Sequence, residues 1–129
     1  MIDLMLYVHY SGHMETNSAI PMFAALAQET RLRAFRLLVR AGPAGMAAGL
    51  LSEELGIPHN TMSFHFSHLA NAGLVASQRQ GRSVIYSANF EAVKSLIGFL
   101  VQDCCSADFA SLRTNRKTGC AVIELTDFC

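Results

Sequence analysis

The stretch HNTMSFHFSHLANAG, residues His59 to Gly73, decides how the rest of the chain is read. Met62, Phe66 and Leu69 recur at helical spacing and make one apolar stripe, with Phe64 and His65 beside it. The opposite side carries Asn60, Thr61, Ser63, Ser67 and His68, and no acid. Side chains of this kind donate and accept hydrogen bonds at base edges and phosphates without bringing negative charge towards DNA. An ordinary amphipathic surface helix shows the same periodicity, so the flanking sequence has to decide between the two.

Upstream, Met46 to Leu55 (MAAGLLSEEL) predicts a helix closed by Gly56, and GIPHN a tight turn in which Pro58 presets the entry to the next helix. Helix, short glycine turn and polar-faced helix form the helix-turn-helix pattern, whose second helix enters the major groove. Downstream, Leu74 to Gln80 and Ser83 to Ala88 alternate apolar and polar residues around Gly81, which predicts a β-hairpin. Arg79, Gln80 and Arg82 sit at its tip, within reach of the minor groove or flanking phosphates. A hairpin directly after a recognition helix makes a winged helix-turn-helix, a mainly α fold with a small β-hairpin. The DNA-binding candidates are therefore Asn60, Thr61, Ser63, Phe64, His65, Ser67 and His68 on the helix and Arg79, Gln80 and Arg82 on the wing.

The outer elements supply the scaffold. Ala19 to Gln28 predicts a first helix with Ser18 as N-cap and Pro21 in its first turn. It is so apolar that it needs a cover, for which a partner subunit suffices. Glu29 to Ala41 predicts a second helix capped by Thr30, with Leu32, Phe35, Leu38 and Val39 as its core stripe and Arg31, Arg33, Arg36 and Arg40 facing water or phosphate; Gly42 and Pro43 stop it. Asn89 caps a last helix from Phe90 to about Asp103, whose apolar residues Phe90, Val93, Leu96, Ile97, Leu100 and Val101 are numerous enough for both a core and a dimer seam. Beyond it, Arg113 to Gly119 reads as a polar linker and Val122 to Leu125 as a short strand or an irregular segment.

The 129 residues, 51% of them hydrophobic, suit one domain with a real core that buries more surface by dimerising. Formal net charge is zero, which argues against indiscriminate binding to nucleic acid, but no Asp or Glu occurs from Ile57 to Phe90. No apolar run approaches the roughly 20 residues that span a bilayer. The start, MIDLMLYVHYSGHMETN, has no Lys or Arg to open a secretory signal, so the expectation is a cytoplasmic chain without membrane contact. Three parts are expected: an N-terminal extension at 1–18, in which SGHM (Ser11 to Met14) has the look of a cloning junction or internal start; a DNA-binding and dimerisation domain at 19–105; and a tail at 106–129. Four cysteines, Cys104, Cys105, Cys120 and Cys129, all fall in the last quarter. A disulfide framework spreads its cysteines across the fold, so this cluster points instead to soft-metal binding or thiol chemistry in a reducing compartment.

The runs ETRLRAFRLL and LSEELGIPHNTMSFHFSHLANAGLVASQRQGRSVIYSANFEAV resemble the ArsR/SmtB family of metal- and metalloid-responsive repressors, over roughly Ala19 to Cys105. TMSFHFSHL followed by AGLV, and the wing RQGRSVIYSAN, carry the resemblance most strongly. It implies a homodimer that binds an imperfect inverted repeat of double-stranded operator DNA near its own operon and leaves when an inducer binds, with no cofactor needed for DNA binding and no enzymatic activity.

The inducer is argued from the ligands present. Family members that sense metal in the helix before the turn use a cysteine pair in a run like ELCVCDL, and Leu51 to Leu55 offers none. Zinc sensors place Asp and His along the last helix, yet no histidine follows His68; a tetrahedral zinc site of cysteines alone stays open, though it needs all four and their spacing is irregular. Cys104-Cys105 at the end of the last helix instead resembles the family's sensors of trivalent arsenic and antimony. Those centres are soft, take three thiolates in a pyramid, and are selected by thiolate ligation. Adjacent residues in a helix point about 100° apart, so the two sulfurs converge only where the helix is ending. Cys120, the nearer, or Cys129 would supply the third sulfur; with neither, the pair suits methylarsenite, which carries one substituent already. His59, His65 and His68 are spread too widely around one helix for a single metal centre and read as groove-facing or capping residues. Three rivals remain: a persulfide- or redox-sensing repressor of the same fold using these cysteines; a small thiol reductase, which would want a C-x-x-C pair that the chain lacks; and a non-sensing winged-helix protein whose dimer organises other proteins.

Overall fold

The computed structural model describes residues 14–101. They form α1 (Thr16–Leu26), α2 (Glu29–Ala41), β1 (Met46–Ala47), α3 (Ala48–Leu55), α4 (His59–Asn71), β2 (Val75–Gln80), β3 (Ser83–Ala88) and α5 (Phe90–Leu100). The strands make one antiparallel sheet in the order β1-β3-β2. This is a winged helix-turn-helix, mainly helical, as the order of signals in the sequence predicts. Its core draws Met22 from α1, Leu38 from α2, Leu51 from α3, Met62, Phe66 and Leu69 from α4, and Leu74 from the approach to β2, all fully buried.

Several local expectations are corrected. The first helix starts at Thr16, with Glu15 rather than Ser18 at the N-cap and no side-chain capping bond. Pro21 therefore lies inside the helix instead of in its first turn. Burial of Ala19, Met22 and Ala25 along one face holds the helix despite the backbone bond that a proline forgoes. In α2 the cap is Gln28, whose Oε1 accepts from the Arg31 N–H at 2.8 Å; Thr30 is already helical. The buried stripe of α2 is Ala34, Phe35 and Leu38, while Leu32 and Val39 are 44% and 40% exposed. At about 100° per residue both of these are rotated by about 100–120° from Leu38, past the edge of the stripe. The last helix ends at Leu100 with Val101 as its C-cap, shorter than the expected run to about Asp103.

The larger departure is at Met46 and Ala47, predicted to open the third helix. They pair instead with Tyr86 and Ile85 of β3 and add a third strand. The approach is a turn closed by the Gly45 N–H donating to the Gly42 carbonyl at 3.1 Å. Gly45 has φ 72, and a β-carbon there would overlap the Tyr86 carbonyl oxygen. Helix propensity in MAAGLL yields to this pairing. Gly45→Ala combines a disfavoured positive φ with a backbone clash, so it is expected to cost about 2–4 kcal/mol, read as a lower urea midpoint at unchanged m-value.

The turn between α3 and α4 follows its expected chemistry. Gly56 adopts the left-handed conformation that closes α3, and Pro58 at the N-cap starts α4 at His59. The hairpin pairs Val75 with Ala88 through Gln80 with Ser83, leaving Gly81 (φ 62) and Arg82 as its two-residue turn. Asn89 ties the base of this wing to α5. Its side chain accepts from the Ala92 N–H at 3.2 Å and donates to the Gly73 carbonyl at 3.0 Å. No helix among the described residues is long and apolar enough to cross a membrane.

Candidate nucleic-acid interface

Helix α4 buries Met62, Phe66 and Leu69 and turns Asn60, Thr61, Ser63, Ser67 and His68 to solvent. Burial of the first set fixes the rotation of the helix, and with it the direction of the second. One residue differs from its expected place beside the stripe, while His65 keeps it. Phe64 stands on the polar face at 61% exposure, its ring edge-on to His68 with centroids 4.7 Å apart. His65 is half-buried and faces Arg31. The Ser67 hydroxyl donates to the Ser63 carbonyl at 3.0 Å, so its lone pairs remain to accept from a base or a water.

Arg31 was expected to face water or phosphate with the other α2 arginines. Its guanidinium instead donates to the Ala25 carbonyl through Nε at 2.6 Å, to the Ala24 carbonyl at 3.5 Å, and lies 3.4 Å from His65 Nδ1. These carbonyls close α1, where orphan acceptors and the helix dipole both favour a cation. One side chain thus bridges α1, α2 and the recognition helix. An arginine has no acceptor, so Nδ1 of His65 must be the accepting nitrogen and Nε2 carries the proton. Burial, then the neighbouring Arg31 and His68, hold the His65 pKa below the usual imidazole value, which favours the neutral ring. The sequence signal for Arg31 was its place, just after the C-terminal end of a helix with no basic residue in its own last turn.

The wing is joined rigidly to α4. Phe66 stacks on Tyr86 of β3 with ring centroids 4.1 Å apart and planes 14° apart, and the Leu74 N–H donates to the Leu69 carbonyl at 3.0 Å. Arg79, Gln80 and Arg82 at the tip are all exposed. The exposed α4 face and the wing therefore form two fixed probes on one core: small polar groups spaced for base edges, and guanidinium groups suited to phosphate. Cys104, Cys105, Cys120 and Cys129 lie outside the described residues. Among the described residues there is no group of three or more His, Cys, Asp or Glu that could hold a metal ion.

Comparison with known proteins agrees with this arrangement. A family described as a helix-turn-helix domain matches residues 26–78. The nodulation protein NolR of Rhizobium meliloti is 30% identical over 88 residues, 68% of this chain and 70% of its own length. The transcriptional activator HlyU of Vibrio cholerae is 30% identical over 97 residues, 74% of this chain and 87% of its own. Among solved structures, an ArsR-like transcriptional regulator from Rhodococcus sp. RHA1 superposes with a TM-score of 0.57 at 27% identity, covering 74% of this chain and 87% of that one. A homodimeric winged helix-turn-helix DNA-binding domain from Mycobacterium bovis, at 19% identity, shares the fold with a TM-score of 0.54 over 78% of this chain and 88% of its own.

Proposed function

The chain belongs to the ArsR/SmtB-type family of winged helix-turn-helix transcriptional regulators, and from that premise we propose a dimeric repressor released from DNA by trivalent arsenic or antimony, or by methylarsenite. The observation that carries the DNA-binding half is the exposed, acid-free face of α4 beside an arginine-tipped wing. In a homodimer two such helices stand about 34 Å apart, one turn of DNA, and read an imperfect inverted repeat. The role is regulatory and not catalytic.

Support for the dimer comes from surface chemistry. Ile20 and Phe23 on α1 and Phe90 and Leu100 on α5 are exposed, and the two helices lie against one another. Apolar side chains gathered on neighbouring helices are a surface to be covered, and the M. bovis relative is described as homodimeric. The inducer half of the proposal rests on the cysteines alone: Cys104 and Cys105 follow α5 in the chain, and Cys120, or else Cys129, would complete three-thiolate ligation of a soft centre.

The first test is protection of DNA upstream of the protein's own gene by the reduced protein, followed by addition of arsenite, antimonite or methylarsenite. Protection that is lost at stoichiometric metalloid supports the reading. No binding of any metalloid in reductant, with release by persulfide or oxidant instead, would convert it to the thiol-redox sensor. Activation of transcription on the same site would reverse the sign, since HlyU is named an activator. Replacing Arg79 and Arg82 with alanine is expected to weaken binding to all duplexes alike. With two wings per dimer, four phosphate contacts disappear, and the slope of log K against log salt should become shallower by about 3.6, at about 0.9 per contact. A loss confined to one sequence would instead make the wing a base reader.

A further inference from the structure

Phe64 is out of keeping with its surroundings. It lies on α4 in a row with Asn60 and His68, flanked by Thr61, Ser63 and Ser67, all of them exposed. A ring 61% exposed contributes nothing to the core, whose α4 side is filled by Met62, Phe66 and Leu69. The edge-on contact with His68 at 4.7 Å and a wider one with His65 at 6.0 Å brace the ring on the helix surface.

Its chemistry restricts what it can read. A helix of about 10–12 Å diameter fills a major groove of about 12 Å, so a side chain in the middle of the exposed face meets base edges. Those edges present donors and acceptors, which a phenyl ring cannot satisfy, and one apolar group, the C5-methyl of thymine. Packing the ring against a donor or acceptor would strip it of water without replacing the hydrogen bond, which penalises the other bases at that position. We infer that Phe64 packs against a thymine methyl in the major groove and is a specificity-determining residue for the operator. This rests on the DNA-binding reading above. Asn60, one turn earlier in the same row, has the amide that pairs bidentately with adenine, so the row combines a hydrogen-bonding reader with an apolar one.

The test uses the full reduced chain and a randomised duplex library, from which the preferred site is enriched. Each thymine of that site is then replaced by uracil, which removes the methyl group and nothing else. The expected result is one thymine per half-site at which uracil weakens binding about fourfold, the worth of one buried methyl, and about fifteenfold with both half-sites changed. In Phe64→Ala the affinity for the parent site falls and thymine and uracil at that position become equivalent; Phe64→Leu, still apolar, keeps part of the distinction. Both variants should unfold at the wild-type urea midpoint. Uracil tolerated at every position, an enriched site without thymine in its half-sites, or a uracil penalty that persists in Phe64→Ala overturns the contact while leaving DNA binding intact. Failure to enrich any sequence overturns the DNA-binding reading itself.

Discussion

Phe66→Ala is expected to lower the unfolding free energy by about 3–5 kcal/mol, a large part of the roughly 5–15 kcal/mol that holds a domain of this kind together. Phe66 is 1% exposed and among the largest fully buried side chains. Truncation removes its apolar area from the core and leaves a cavity between α4 and the sheet. It also removes the stack on Tyr86, worth about 0.5–1.5 kcal/mol beyond area. That stack ties the recognition helix to the wing, so the damage is both global and local. Phe66→Leu separates the two. It retains much of the volume and should keep the protein folded at a cost nearer 1–2 kcal/mol, yet it abolishes the ring stack. The expected signature is a protein that still folds cooperatively, with a urea midpoint lowered much less than in Phe66→Ala, together with weaker DNA binding. If Phe66→Leu binds DNA as the wild type does, the stack contributes to stability and not to the placement of the wing.

The same residue illustrates how far the sequence can be read. Met62, Phe66 and Leu69 at helical spacing, Gly56-Ile57-Pro58 before them and Gly81 between two alternating runs are local signals, each with one cheap conformational solution, and the structure follows them. Met46-Ala47 is different. Locally it is a good helix start, and it becomes a strand because Tyr86 and Ile85, some forty residues on, offer unpaired backbone groups. The legible trace of that pairing was Gly42-Pro43-Ala44-Gly45, a turn that sets the chain running back towards the sheet. Arg31 escaped for a related reason, since its acceptors are the end of another helix and a ring 34 residues away. Phe64 is different again: it lies about 140–160° round α4 from Met62, Phe66 and Leu69, so helical periodicity itself puts it opposite the stripe and not beside it, where the structure has it 61% exposed.

Replacing both Cys104 and Cys105 with serine is expected to leave repression in place and remove induction altogether. Serine keeps the shape of cysteine, and neither position is part of α4 or the wing, so operator affinity should stay within about twofold of wild type. A hydroxyl is a hard donor that stays protonated at neutral pH, whereas a soft trivalent centre needs thiolate. Wild-type protein saturated with arsenite should bind DNA about 5- to 150-fold more weakly, the range of a coupling of about 1–3 kcal/mol. The double variant should show no change. Linkage supplies an independent check: whatever factor arsenite takes from DNA affinity, operator DNA must take from arsenite affinity, because both report one coupling free energy. Titrating arsenite in reductant with and without saturating operator measures that second arm directly. The single variants locate the third sulfur. Cys120→Ser should weaken arsenite binding while sparing methylarsenite, which brings one substituent of its own and needs two thiolates; if Cys129→Ser does this instead, the third ligand is Cys129. Induction that survives in the Cys104 and Cys105 double variant would show that this adjacent pair is not the inducer site.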